Sequence, residues 1–293
     1  ENHGGKITGM ILTGILIVAS IIIGLLGLSV YMLRPETGKI RSFAAFDHTM
    51  IAHRGLFDNH SEAPENSLAA FRKAADQGFG MELDVQLTKD GKLVVFHDFD
   101  MKRMCGVHKK ITELTYAELE QYSLKNSTEK IPLFSNVLEL VNGKVPLVVE
   151  IKVGFDYKAT TEAVAAMLSQ YKGIYCMECF NPLSLVWYRK HYPQVLRGQL
   201  SMDFFQSEDK MPQIVRFFLT NLLLNFWAKP DFISYNHKDR KIRGFRMCCK
   251  LFGVKTAAWT IKSEAELESV RDVFDMFIFD SFLPKEGEKV SVS

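Results

Sequence analysis

Four places in the 293-residue sequence combine side chains that could do chemistry together. Glu82 and Asp84 stand two residues apart at the end of an apolar run, and Glu150 and Lys152 repeat that spacing at the end of another. Residues two apart on a β-strand project from the same face, so each pair presents its charges side by side. Three carboxylates from two strand ends call for a cation. An all-oxygen donor set suits a hard divalent ion, Mg2+ or Ca2+, rather than zinc, which prefers His and Cys. A third run ends in His53-Arg54-Gly55: an imidazole that exchanges protons near neutral pH, a guanidinium fork matched to phosphate oxygens, and a residue that lets backbone approach a ligand closely. The fourth, Val94-Val95-Phe96, ends in His97-Asp98. Two imidazoles flanking a metal meet the needs of phosphodiester cleavage. One activates the attacking oxygen, the other protonates the leaving alkoxide, and cations offset the phosphate charge. The residues do not say which imidazole takes which part. Taken singly, each feature is more often a solvated strand end, so their weight comes from convergence.

Convergence requires a scaffold that gathers strand ends. Apolar runs at 49–53, 80–85, 145–151, 174–180, 195–200, 231–235, 254–260 and 275–280 alternate with segments of mostly helical length and pattern. Eight such units over 49–293 predict an α/β fold, a (β/α)8 TIM barrel, whose reactive side chains come from the C-terminal strand ends. The run 93–97 follows the second strand across Asp90-Gly91, too short a link for a parallel crossover, so it returns as a hairpin and carries His97 toward Glu82 and Asp84. Residues 99–143 are then a small insertion, with helices near 116–122 and 135–141. Pro64-Glu65-Asn66-Ser67 reads either as a helix start with a first-turn acid or as a loop that brings Glu65 to the site. Phe180 closes the fourth run and Trp259 ends Ala257-Ala258 on the seventh, where aromatic walls could hold an alcohol; core packing accounts for either equally well. Asp280 closes the eighth run in a structural or a catalytic role.

Outside the barrel, residues 10–33 carry no charge over 24 positions, long enough at about 1.5 Å per residue to cross a hydrocarbon layer of about 30 Å. A single-pass transmembrane helix follows, with 1–9 as its flank and 34–48 as a tether. Lys6 precedes the span while Arg34, Lys39 and Arg41 follow it, which favours a cytoplasmic catalytic domain at the cell membrane. Five cysteines cannot all pair within one chain, in keeping with a reducing compartment. With 36 basic and 34 acidic residues, net charge lends nothing to nucleic-acid binding, and a composition 47% hydrophobic excludes disorder. Segment 211–228 is unusually apolar for an outer helix and reads as core or as a surface dipping into the bilayer interface, with basic residues 238–250 following. Cys176 and Cys179 have CxxC spacing, but on a strand they point to opposite faces.

In order and spacing, these motifs strongly resemble those of the glycerophosphodiester phosphodiesterase family, phospholipase C-like phosphodiesterase barrels. The likeness spans 49–284. It rests on His53-Arg54-Gly55, Pro64-Glu65-Asn66-Ser67, Glu82-Leu83-Asp84, Leu87-Thr88-Lys89-Asp90-Gly91, Val94-Val95-Phe96-His97-Asp98, Glu150-Ile151-Lys152 and Trp259-Thr260. The resemblance implies His53 and His97 as the acid/base pair and Glu82, Asp84 and Glu150 as ligands of Mg2+ or Ca2+. It implies Arg54 and Lys152 as phosphate contacts, Glu65 near the metal, and Phe180 and Trp259 beside the substrate. Departures from the family pattern are Ser67, Cys179, Lys262 and Phe279, which leave the alcohol group open. The expectation is a membrane-anchored phosphodiesterase releasing an alcohol and glycerol 3-phosphate. A lysophospholipase D-like enzyme and a silent phospholigand-binding module are the alternatives. Oligomeric state is not set by the sequence.

Overall fold

The computed structural model describes residues 3–38, 40–154, 156–208 and 210–285. Lys39, part of the charge asymmetry above, and the last eight residues of the expected barrel, 286–293, lie outside the described residues. Among those described, nine strands form one sheet: β1 (Thr49–Ala52), β2 (Gly80–Leu87), β3 (Leu93–Val95), β4 (Leu147–Ile151), β5 (Tyr175–Cys179), β6 (Arg197–Ser201), β7 (Phe232–Asn236), β8 (Lys255–Ile261) and β9 (Met276–Phe279). All but β3 pair in parallel, and β1 bonds to both β2 and β9, so the sheet closes into an eight-stranded TIM barrel. Each expected run is a strand, displaced by at most two residues. Apolar runs mark them clearly because a parallel strand covered on both faces is apolar throughout.

The register aligns the chemistry. Asp84 lies opposite Glu150, and Glu150 opposite Glu178. Ala52 pairs with Met81 on one side and Phe279 on the other, which sets His53 between Glu82 and Asp280. β3 folds back antiparallel on β2, with Val95 opposite Val85, as the short link at Asp90-Gly91 requires.

Three segments differ from their sequence reading. Residues 34–48 are no loose tether. Residues 40–46 form a 3-10 helix, and Phe43 and Phe46, both 1% exposed, fill the N-terminal mouth of the barrel against Ile51, Val148 and Phe232. Burying each ring contributes on the order of 2–3 kcal/mol. The helix Phe134–Val141, counted with the insertion, packs on the helix Leu68–Asp76 and belongs to the barrel's outer core. What precedes it builds a small core of its own from Val94, Phe96, Met101, Met104, Ile111 and Leu119. Segment 211–228 is two helices, Gln213–Thr220 and Asn225–Ala228, broken where Leu222 turns into the left-handed region (φ 58°) to bury its side chain.

The N-terminal helix runs His3–Leu33. Its apolar stretch Thr8–Leu33 lies outside the barrel's core and is a candidate membrane span by length and composition. Only its last turn docks: Leu33 is 2% exposed, and its carbonyl accepts from Asn225 Nδ2 at 3.2 Å.

Candidate active site

Glu82, Asp84 and Glu150 stand at the C-terminal ends of β2 and β4 and are almost wholly buried. One oxygen from each lies within 4.8 Å of the others. Burial, with Asp84 and Glu150 close by, pushes the Glu82 carboxyl well above its usual range. Burial likewise raises Glu150, although Lys152 Nζ sits 2.8 Å from Oε1. Asp84 ends below the ordinary value despite burial, because His97, Lys152, Arg54 and the Asn66 amide all favour its charged form. The cradle is therefore under-neutralised by the chain's own cations. Asp84 Oδ1 has Lys152 Nζ at 3.6 Å but no hydrogen-bond donor among the described residues. An all-carboxylate set, converging and short of positive charge, fits a hard divalent cation. Below it on β5, Glu178 is buried and held up to about 8 by desolvation and Glu150, so it is mostly protonated at neutral pH.

Two imidazoles accompany the cradle, and each has its own carboxylate. His53 Nδ1 is 2.9 Å from Asp280 Oδ2, so Nδ1 carries the proton and Nε2 faces the cradle, 3.9 Å from Glu82 Oε2. Burial and the adjacent Arg54 lower His53 to about 4, outweighing Asp280, and the ring is neutral at pH 7. His97 Nδ1 is 2.6 Å from Asp98 Oδ1. Its segment folds back on β2, where the Phe96 N–H donates to the Asp84 carbonyl at 2.8 Å, and the ring lies within electrostatic reach of Asp84 and Glu150.

The turn after β1 explains the His53-Arg54-Gly55 order. Arg54 is in the left-handed region (φ 55°), which aims its N–H at Glu82 Oε2, 3.1 Å away. Its side chain bonds Glu65 at 2.7 Å and approaches Asp84 at 3.4 Å. Gly55 (φ 83°) does not make room for a ligand. A Cβ there would stand 2.8 Å from the backbone carbon of Ala70, so the glycine lets the β1 turn sit directly on the helix Leu68–Asp76. Ser67 caps that helix, accepting from the Ala70 N–H at 3.1 Å. Glu65 thus precedes the helix and is no first-turn acid; it points inward with Asn66, whose Nδ2 donates to Asp84 at 2.8 Å.

Beside Lys152 the site is walled by aromatic rings. Phe180 and Trp259 meet edge to face at 5.7 Å, Lys152 Nζ lies 6.0 Å from the Phe180 ring, and the buried indole N–H of Trp259 has no acceptor among the described residues. All the expected site residues thus gather at one end of the barrel. Five more went unassigned in the sequence: Asp280 and Asp98 orienting the imidazoles, Asn66 on Asp84, Phe204 extending the aromatic wall at 6.0 Å from Phe180, and Arg103. Arg103, from the insertion, donates to both Glu65 oxygens at 2.7 and 2.6 Å and to Asp98 at 2.7 and 3.0 Å. Adjacency to His97 was the signal for Asp98, and its place at the close of the eighth apolar run the signal for Asp280. For Arg103 there was none. Among the departures, Cys179 and Phe279 pack in the outer core, Ser67 is a helix cap, and Lys262 bears electrostatically on Asp280.

Comparison with known proteins agrees with this geometry. The pattern defining the glycerophosphoryl diester phosphodiesterase family matches residues 53–279. A glycerophosphodiester phosphodiesterase from Caldanaerobacter subterraneus is 31% identical over 230 residues, 75% of this chain and 88% of that protein. Two solved structures share the fold. A phosphodiesterase from Oleispira antarctica in complex with the product sn-glycerol-3-phosphate has a TM-score of 0.66 at 24% identity, over 82% of this chain and 95% of its own. A glycerophosphodiester phosphodiesterase from Thermotoga maritima has a TM-score of 0.60 at 25% identity, over 79% and 94%.

Proposed function

Because the chain belongs to the glycerophosphoryl diester phosphodiesterase family and is a phosphoric diester hydrolase of that kind, we propose that it hydrolyses glycerophosphodiesters to an alcohol and glycerol 3-phosphate by histidine acid/base catalysis at a divalent metal. The observation that carries this reading is the pair of imidazoles, each hydrogen-bonded to its own carboxylate, beside the Glu82, Asp84, Glu150 cradle: His53 Nε2 is 3.9 Å from Glu82, and His97 is close enough to bear electrostatically on Asp84 and Glu150. Those three carboxylates would hold Mg2+ or Ca2+, and such a cation, when bound, offsets phosphate charge and polarises the ester. Arg54 and Lys152 border the same cradle and add their charges to the phosphate oxygens.

The neutral state of His53 supports one order of events. His53 is neutral with Nε2 free, so it takes the proton from the attacking oxygen, either water or a neighbouring substrate hydroxyl that closes a cyclic intermediate. Asp280 then stabilises the resulting imidazolium. His97 delivers a proton to the departing alkoxide, with Asp98 fixing its ring. Phe180 and Trp259 enclose the alcohol carbons, and the unpaired Trp259 N–H offers a donor to a substrate hydroxyl.

The helix Thr8–Leu33 supports a cell-membrane anchor, since its last turn is locked into the barrel while the rest projects from it. The charge flanks favour the cytoplasmic side, which protease accessibility in intact cells would test. Turnover of a glycerophosphodiester by His53→Ala and His97→Ala tests the chemistry: both should lose at least about 100-fold in kcat while remaining folded. Unchanged rates in either variant remove that residue's role, and ligand binding without turnover in the parent would make the barrel a silent module.

A further inference from the structure

The end of the N-terminal helix meets the barrel at an unusual surface. Tyr31, on the last turn, has its ring 5.5 Å from that of Phe226 and remains 56% exposed. The next residue, Trp227, is 43% exposed. Cations gather at the same place. Lys229 Nζ donates to the Arg34 carbonyl at 3.2 Å, and its pKa is lowered by burial and by the positive charges of Arg34 and Arg189. Glu36 is the acid facing them, and it spends both hydrogen bonds of Oε1 on the backbone of Thr37 and Gly38. Large aromatics left in water beside a crowd of cations serve no purpose within the barrel.

Resting on the membrane-anchor reading, we propose that Tyr31, Phe226 and Trp227 with Arg34, Arg189 and Lys229 form an interfacial collar that seats the barrel against anionic phospholipid headgroups. The collar is continuous with the apolar helix. Thr8–Leu33 is 26 residues, about 39 Å at roughly 1.5 Å each, and exceeds a hydrocarbon layer of about 30 Å by about 9 Å. The excess is the stretch that traverses headgroups, and it carries Tyr31 to Leu33 and the docked surface into that zone. Tyr and Trp rings favour this depth, and basic side chains there attract anionic lipid. Because Leu33 is fixed in the barrel's core, the collar also sets the barrel's tilt on the membrane instead of letting it swing.

The test uses the full chain reconstituted into vesicles of phosphatidylcholine, pure or mixed two to one with phosphatidylglycerol. Flotation after an alkaline wash reports the span. Quenching of tryptophan emission by phosphatidylcholine brominated high in the acyl chain reports the collar. The expected result is a quenched component that disappears in Trp227→Phe, grows with phosphatidylglycerol and falls in high salt. In an Arg34→Gln, Lys229→Gln double variant the dependence on phosphatidylglycerol is lost, while turnover of a water-soluble substrate is unchanged. A chain that floats but shows the same quenching in Trp227→Phe overturns the collar alone. A chain that fails to float overturns the anchor and the collar with it.

Discussion

Removing the Arg103 guanidinium should uncouple two parts of the site at once. Glu65 is 3% exposed, and its carboxyl is lowered from 4.5 to about 2: burial would raise it, but Arg103, Arg54 and Asn59 prevail. A difference of about 2.5 units at about 1.4 kcal/mol each links roughly 3 kcal/mol of stability to that charge. Three partners share it, and Arg103 is 41% exposed, so solvent screening leaves it about 1–2 kcal/mol. The sign follows from a depressed folded-state pKa. The stabilisation is complete above the unfolded value near 4.5 and is lost as pH falls toward 2. Urea denaturation of Arg103→Met should show a loss of about 1–2 kcal/mol at pH 7, with a smaller further loss between pH 5 and pH 3 than in the parent. Asp98 would also lose the fork that holds it against His97, so kcat should fall about 10-fold with little change in KM. Arg103→Lys keeps the charge without the fork and should recover part of the stability but little of the rate. Equal stability at pH 7, together with an unaltered pH slope, would refute the clamp.

Replacing Asp280 by Asn leaves the His53 ring in place, but with the Ser281 hydroxyl donating to the amide oxygen the NH2 faces Nδ1 and favours the wrong tautomer; kcat should fall on the order of 1,000-fold while metal affinity, read by titration calorimetry, is kept. Retained turnover would mean that Asp280 is only structural. Gly55→Ala forces a Cβ into the Ala70 backbone at a positive φ and should cost about 3 kcal/mol, seen as a melting temperature lower by roughly 10 °C; an unshifted melt would contradict the packing given for this turn.

The parts of this fold that could be read in the sequence are those with local signals. Strand ends are visible because an apolar run stops at a charged residue, and the two-residue spacing of Glu82 with Asp84 and Glu150 with Lys152 carries their common face directly. His97 follows from a link too short for anything but a hairpin. What escaped depends on partners distant in the chain. Nothing near Arg103 shows that it reaches Glu65, 38 residues earlier. Gly55 invites a ligand-binding reading, since only the folded chain puts the Ala70 backbone beneath it. Phe43 and Phe46 lie in a short segment of mixed charge and small residues, and their burial depends on an open barrel end that no local pattern shows. The break at Leu222 lacks the glycine or proline that usually marks one, because burial of the leucine itself drives it.

Metal titration of the chelator-stripped protein reaches the central claim most directly, with glycerol 3-phosphate release from a glycerophosphodiester as the readout. The stripped protein should be inactive, and Mg2+ or Ca2+ should restore turnover with saturation at a single site, weakened by Glu150→Gln. Full turnover in excess chelator would contradict the role given to Glu82, Asp84 and Glu150.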